Sequence, residues 1–140
     1  MQLDKILLFC FLTFTITTVF AQEPTGWIKL QSPTDETLRR LYFVDENNGW
    51  AVSLGGKIIN TTDAGDSWQV QNSMVTSPIV DIFFINPNRG WAITYPSEPP
   101  FGTTILTTSN GGTDWVKDSV FFENEIFSTI PFLDENVAFI

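Results

Sequence analysis

The chain has 140 residues, 43% of them hydrophobic and 14% aromatic, with a formal net charge of −9, no histidine and a single cysteine. The acidity argues against nucleic acid or an anionic membrane surface as partner, because phosphate binding needs clustered Lys and Arg. The lack of histidine removes the commonest side chain of acid–base and nucleophilic catalysis.

The first predicted element is a leader. Lys5 supplies a short positive region, Ile6 to Phe20 is an apolar run, and Val19-Phe20-Ala21 ends on a small residue suited to cleavage. The run is shorter than the roughly 20 residues that a membrane span needs, and Thr13, Thr15, Thr17 and Thr18 weaken it further. Residues 1–21 therefore read as a signal peptide, with no membrane insertion of the remainder after cleavage. Cys10 falls inside this leader, and Leu8 and Phe9 stand where a lipoprotein would have small residues. The mature chain, from Gln22, is cysteine-free and rests on an ordinary core instead of disulfides. Loss of the leader takes Asp4 and Lys5, one charge of each sign, so the net charge stays at −9. The expected location is secreted, periplasmic or cell-surface, in a bacterial envelope.

Residues 22–140 repeat themselves. Tyr42-Phe43-Val44-Asp45-Glu46-Asn47-Asn48-Gly49-Trp50-Ala51-Val52 aligns with Phe83-Phe84-Ile85-Asn86-Pro87-Asn88-Arg89-Gly90-Trp91-Ala92-Ile93 at a constant offset of 41. Lys57 to Trp68 aligns with Thr104 to Trp115 at an offset of 47, which places a six-residue insertion between Tyr95 and Thr103. A third register is the spacing from each closing tryptophan to the next aromatic strand: Trp27 to Phe43 and Trp68 to Phe84 are 16 residues, Trp115 to Phe132 is 17. A further copy begins at Phe132, with Ala138-Phe139 where the earlier copies have Gly-Trp.

Each unit parses into four short strands: in the first, Leu38–Val44, Gly49–Leu54, Lys57–Thr61, and a last one beginning at Trp68. Gly55-Gly56 makes the tight turn between the second and third. Ile79–Ile85 is nearly continuous apolar sequence, broken only by Asp81, as expected of a strand packed on both faces. Tandem four-stranded units of 40–50 residues predict an all-β fold of antiparallel β-propeller blades. The expected layout is a Trp27 strand, a blade at about 38–71, a blade at about 79–117 and the start of a third at about 126–140.

Between the third and fourth strands, Thr61-x-Asp63-x-Gly65-x-Ser67-Trp68 fits the Asp-box pattern, and Thr108-x-Asn110-x-Gly112-x-Asp114-Trp115 is a degenerate copy. The expected role is structural. The acid or amide accepts backbone N–H groups downstream, the glycine supplies a left-handed conformation, and the tryptophan plugs the blade core. Asp45-x-Asn47-x-Gly49 has the opening of a calcium loop, but the closing glutamate would fall at Gly56, so it reads as a hairpin turn. No metal or cofactor is expected.

Phe-x-Asp-x-x-x-Gly-Trp-Ala-Val, Gly-x-Ile and Thr-x-Asp-x-Gly-x-Ser-Trp together resemble the repeat of the photosystem II stability and assembly factor family, over Trp27 to Ile140. That family shares its Asp-box (BNR) blades with sialidases, sortilin-type receptors and some xyloglucanases. The resemblance implies a non-catalytic scaffold that acts by protein–protein contact. Similar blades occur in secreted proteins of non-photosynthetic bacteria, so it does not by itself imply a role in photosynthesis. A closed ring needs about four to eight blades. Two blades and a fragment would leave faces such as Tyr42, Phe84 and Ile85 without neighbours, so a truncated chain is expected rather than a multi-chain ring.

The rival reading is a fragment of a propeller glycoside hydrolase, xyloglucanase- or sialidase-like. A sialidase needs three convergent arginines. Only Arg39, Arg40 and Arg89 exist, and adjacent residues on a strand point to opposite faces. A two-carboxylate site could still be supplied by further blades. For a scaffold with a protein or glycan partner, the candidate contact is the long loop with Tyr95, Pro96, Glu98, Pro99, Pro100 and Phe101, two aromatics stiffened by prolines.

Overall fold

The computed structural model describes residues 26, 29–96, 101–123 and 127–129. The expected signal peptide, the Trp27 strand, Glu98, Pro99 and Pro100 of the long loop, and nearly all of the third-repeat start lie outside them. The described residues form eight strands: β1 (Leu38–Phe43), β2 (Gly49–Ser53), β3 (Ile58–Thr61), β4 (Gln69–Gln71), β5 (Ile79–Phe84), β6 (Gly90–Thr94), β7 (Gly102–Thr108) and β8 (Val116–Glu123). They make two four-stranded antiparallel sheets, each in simple sequence order, β1-β2-β3-β4 and β5-β6-β7-β8.

The Gly-Trp dipeptide explains much of each sheet. Phe43 pairs with Gly49 across β1–β2, and Phe84 pairs with Gly90 across β5–β6. The phenylalanine ring lies over its partner glycine, so that a Cβ on Gly90 would sit 2.6 Å from the Phe84 ring and one on Gly49 2.6 Å from the Phe43 ring. An aromatic covering a cross-strand glycine protects the backbone and pins the register. The next residue, Trp50, then leaves its own sheet and stacks on Phe84 of the following one, with centroids 3.5 Å apart and planes 10° from parallel. Phe84 meets Trp115 edge-on, at 5.9 Å and 88°.

This aromatic column is the centre of a core shared by both sheets: Trp50, Val52 and Ile58 from the first, Ile79, Ile82, Phe84, Ala92, Leu106 and Trp115 from the second. The sheets are also tied by polar contacts. Tyr42 Oη donates to the Phe84 carbonyl (3.0 Å) and Trp50 Nε1 to the Gly111 carbonyl (3.1 Å). Gln71 Nε2 also donates to Gly111 (2.8 Å), while Gln71 Oε1 accepts from Trp115 Nε1 (3.1 Å). Each aromatic that enters the interface thereby keeps its polar atom paired. Phe84 and Tyr42 were expected to lack neighbours in so short a chain; the adjacent sheet supplies them. On the other side of β1, Leu38, Leu41 and Phe43 are among the exposed apolar side chains of the described residues.

Two local features depart from the strand pattern. A register shift falls between Leu38 and Arg40 in β1 and between Ile79 and Asp81 in β5. It is one bulge repeated at an offset of 41, and it interrupts the alternation that would separate Arg39 from Arg40. The final strand runs to Glu123, past the expected end near 117, because β7 begins at Gly102 and pairs back as far as Gly102↔Glu123. The inserted residues therefore lengthen a strand pair as well as a loop.

Candidate functional site

Each sheet has two ends. One carries the β1–β2 and β3–β4 connections, the other the loops that follow β2 and β4, and the sequence places candidate residues at both.

At the first end, the Thr61–Trp68 turn is closed by its own side chains. Thr61 Oγ1 accepts from Gly65 N–H (2.9 Å) and donates to Asp63 Oδ1 (2.7 Å). Asp63 also accepts from the Ser67 N–H (2.9 Å) and the Ser67 hydroxyl (2.6 Å). The Ser67 hydroxyl foremost, then its N–H and the Thr61 hydroxyl, hold the Asp63 carboxyl down at about 2. Ala64 and Gly65 have left-handed backbones, at φ 61° and 99°. The chain crosses here to the neighbouring turn, where Ala64 N–H donates to the Asn47 carbonyl (3.0 Å).

The Thr108–Trp115 turn repeats this framework with donor and acceptor exchanged. Thr108 Oγ1 accepts from Gly112 N–H (2.9 Å), and Asn110 Oδ1 accepts from Asp114 N–H (3.0 Å). Where the Ser67 hydroxyl donates to a carboxylate, here the Asn110 amide donates to the Asp114 carboxylate at 2.8 Å. Gly111 and Gly112 are left-handed at φ 70° and 88°, and Gly111 N–H donates to the Asn88 carbonyl (2.8 Å). The two tryptophans differ. Trp115 is buried, whereas Trp68 is half-buried and bonds its Nε1 back to the Gly65 carbonyl of its own turn.

The Asp45 and Asn86 turns are alike in the same way. Asp45 Oδ1 accepts from the N–H groups of Asn47 (2.8 Å) and Asn48 (2.7 Å), and Asn86 Oδ1 from those of Asn88 and Arg89, both at 2.9 Å. The Asn48 side-chain amide, then these backbone donors, lower the Asp45 carboxyl below its usual range. Among the described residues, no three His, Cys, Asp or Glu side chains are grouped to hold a metal ion.

At the second end the loops are built differently. The β2–β3 hairpin packs against the β4–β5 loop through the buried Ser73 hydroxyl, which donates to the Gly56 carbonyl. Asn72 Oδ1 accepts from Met74 N–H (3.2 Å), and Met74 is held in a left-handed conformation at φ 64°. Tyr95 N–H donates to the Pro78 carbonyl at 2.7 Å, which ties the start of the long loop to the end of this one. Of the predicted contact residues, Tyr95 and Phe101 are 45% and 50% exposed, and Pro96 is buried. Leu54 and Met74, missed in the sequence, are exposed here too. Their signal was a large apolar residue inside a turn, easily lost among apolar strands. All four lie in the loops that follow the second and fourth strands, and anchored loops present them outward.

The three arginines do not converge. Arg40 Nε pairs with Asp81 Oδ1 at 3.1 Å, and the Arg89 guanidinium lies 5.4 Å from the Trp91 ring centre. Asp81 is buried and also accepts the Thr129 hydroxyl at 2.7 Å. It sits 41 residues after Arg40 in the repeat, so equivalent positions of consecutive units are linked directly. The acid that broke an apolar run is a bridge between sheets.

No family model matches the chain. Photosystem II assembly protein Ycf48 of Thermosynechococcus vestitus is 28% identical over 67 residues, 48% of this chain and 19% of that protein. A solved structure described as YCF48 bound to D1 peptide superposes with a TM-score of 0.62 and 23% identity, over 85% of this chain and 37% of that one. The two sheets are β-propeller blades. The chain spans about a fifth of the curated relative's length and under two-fifths of the solved chain.

Proposed function

We propose that this protein is a secreted, non-catalytic propeller scaffold that binds a protein partner through the loop end of its blades, in the manner of a photosystem II assembly factor. The observation that carries the reading is the set of exposed apolar side chains, Leu54, Met74, Tyr95 and Phe101, at the end where the Ser73 hydroxyl and the Tyr95 N–H tie neighbouring loops together. Exposed apolar and aromatic groups on a rigid support are what protein recognition uses. The likeness to a structure titled as a peptide complex supports the same class of partner. A polypeptide is preferred to a glycan for this end because methionine and leucine offer apolar contact and no hydrogen bonds to hydroxyls. The turns at Thr61 and Thr108 are read as Asp boxes that hold the blades. Export through residues 1–21 to the cell envelope belongs to the same proposal.

Against the glycosidase reading stands the use already made of the described side chains. The Asp63 and Asp45 oxygens accept bonds from their own turns, and Asp81 is engaged by Arg40 and Thr129. The test is photo-crosslinking in the native host from a benzophenone side chain at Tyr95, with Ser67 at the opposite end as control. The proposal expects a defined polypeptide captured from Tyr95, not from Ser67, and lost in Met74→Asp. Equal capture from both ends, or none from Tyr95, contradicts it.

A further inference from the structure

Beside Trp50, the two blades enclose between them a cavity of about 470 Å³. That volume falls in the range of small-molecule sites, about 300–1,000 Å³. One wall is a row of the first sheet. Trp50 pairs with Asn60 and Asn60 with Gln69, so the three side chains share a face. Gln71, two residues on from Gln69, lies on that face too. The other wall is formed by the second blade's turns at Asn88 and Gly111. The chain carries a net charge of −9, yet among the described residues that line the cavity none is charged, and most of the polar side chains are amides.

The repeat shows that the blade does not impose this lining. At the offsets of 41 and 47, Asn48, Asn60, Gln69 and Gln71 correspond to Arg89, Thr107, Val116 and Asp118, which border the matching hollow of the second blade. The same backbone positions therefore accept a cation, an anion and a valine. The amides of the first blade fall into two sets. Gln71 spends its N–H on the Gly111 carbonyl and its oxygen on Trp115 Nε1, Asn48 donates to Asp45 and Asn110 donates to Asp114. These fix the frame. Asn60, half-buried, and the exposed Thr62, Gln69 and Asn88 make no side-chain hydrogen bond to any described residue. Their donors and acceptors are unspent on the wall of the cavity.

We propose that this interblade cavity binds an uncharged oligosaccharide, held by Asn60, Gln69 and Asn88. An amide presents a donor and an acceptor side by side, and a sugar hydroxyl is likewise both, so each satisfies the other. An anionic ligand would call for a cation and a cationic one for a carboxylate, and the described lining has neither. An apolar ligand would leave the amides without partners. A peptide added as a strand would find only the three residues Gln69–Gln71 of β4 to pair with. Val70 and Pro87 add apolar edges for the C–H face of a sugar ring. None of Leu54, Met74, Tyr95 and Phe101 borders the cavity, so the inference does not depend on what the loop end binds.

The test is saturation-transfer NMR and calorimetry on the full chain with cellotetraose, maltotetraose, mannotetraose and the tetramer of N-acetylglucosamine. Tetragalacturonate serves as the anionic control, and an uncharged octapeptide of Ser, Gly and Thr as the polypeptide control. At least one neutral tetramer should bind, with affinity about tenfold weaker in the double variant Asn60→Thr with Gln69→Val, as for the loss of two hydrogen bonds. Both replacements are the residues found at the same places in the second blade, so the sheet should keep its melting temperature. Asn88→Ala, on an exposed turn, should weaken binding without touching a strand, and Asp66→Asn, outside the cavity, should leave it unchanged. Preference for tetragalacturonate or the octapeptide, an affinity that survives the double substitution, or no binding by any neutral tetramer each overturns the proposal.

Discussion

At Asn110 the second turn has an amide where the first has the Asp63 carboxylate, and four residues on Asp114 stands in for the Ser67 hydroxyl. The two substitutions compensate each other, because the turn needs one donor and one acceptor at these positions and is indifferent to their order. Asn110→Asp alone would set two carboxylates in contact and should lower the melting temperature by several degrees at neutral pH. Asn110→Asp combined with Asp114→Ser recreates the first turn and should recover most of that loss; thermal denaturation of the three proteins checks both. The first turn has a pH dependence that the amide of the second lacks. Asp63 is lowered from 3.8 to about 2, and Glu36 is lowered mainly by the Ser53 hydroxyl with help from Lys57. A carboxyl with a depressed folded-state pKa adds stability that is complete above its unfolded value and is lost as pH falls toward the folded one. The melting temperature should therefore be level near neutrality and fall as pH drops from about 4 toward 2. In Asp63→Asn that acid slope should be shallower; an unchanged slope would mean that the turn does not sense the pH.

Among the elements, the Phe–Gly pairs of β1–β2 and β5–β6 are identical in register but differ in what lies over the ring. Gly90→Ala drives a Cβ into Phe84, which is clamped between Trp50 and Trp115, and should cost about 1–3 kcal/mol as an overpacked core does. Gly49→Ala presses on Phe43, which has an open side to move into, and should cost clearly less. Denaturant titration of the two variants separates them, and equal losses would contradict the account. The strands of the first blade were legible in the sequence to within about one residue, because Gly-Trp and the turn residues mark them, whereas the end of β8 at Glu123, past the expected 117, was not. The bulges at Arg39 and Val80 were not, since they depend on sheet curvature and not on residue type. The burial of Asp81 was equally hidden, for its partner Arg40 is 41 residues away on another sheet. Trp68 and Trp115 hold the same place in the repeat and differ in burial and in the partner of Nε1, Gly65 of its own turn for Trp68 and Gln71 of the other sheet for Trp115. Leu54 and Met74 could not be told from strand residues until the turns carrying them were seen.

Across the whole molecule, the loop end is one surface only if the two blades are one body joined through the Trp50–Phe84 stack. The common core and the Tyr42, Gln71 and Arg40 bridges all argue for that. The most direct measurement is a double-mutant cycle in denaturant unfolding with Trp50→Leu, Phe84→Leu and the pair. The account predicts a single cooperative transition and a coupling of about 0.5–1.5 kcal/mol between the two rings, the range for stacked aromatic pairs. Losses that add to within about 0.3 kcal/mol, or two separate transitions, would show that the blades fold independently and contradict the shared interface.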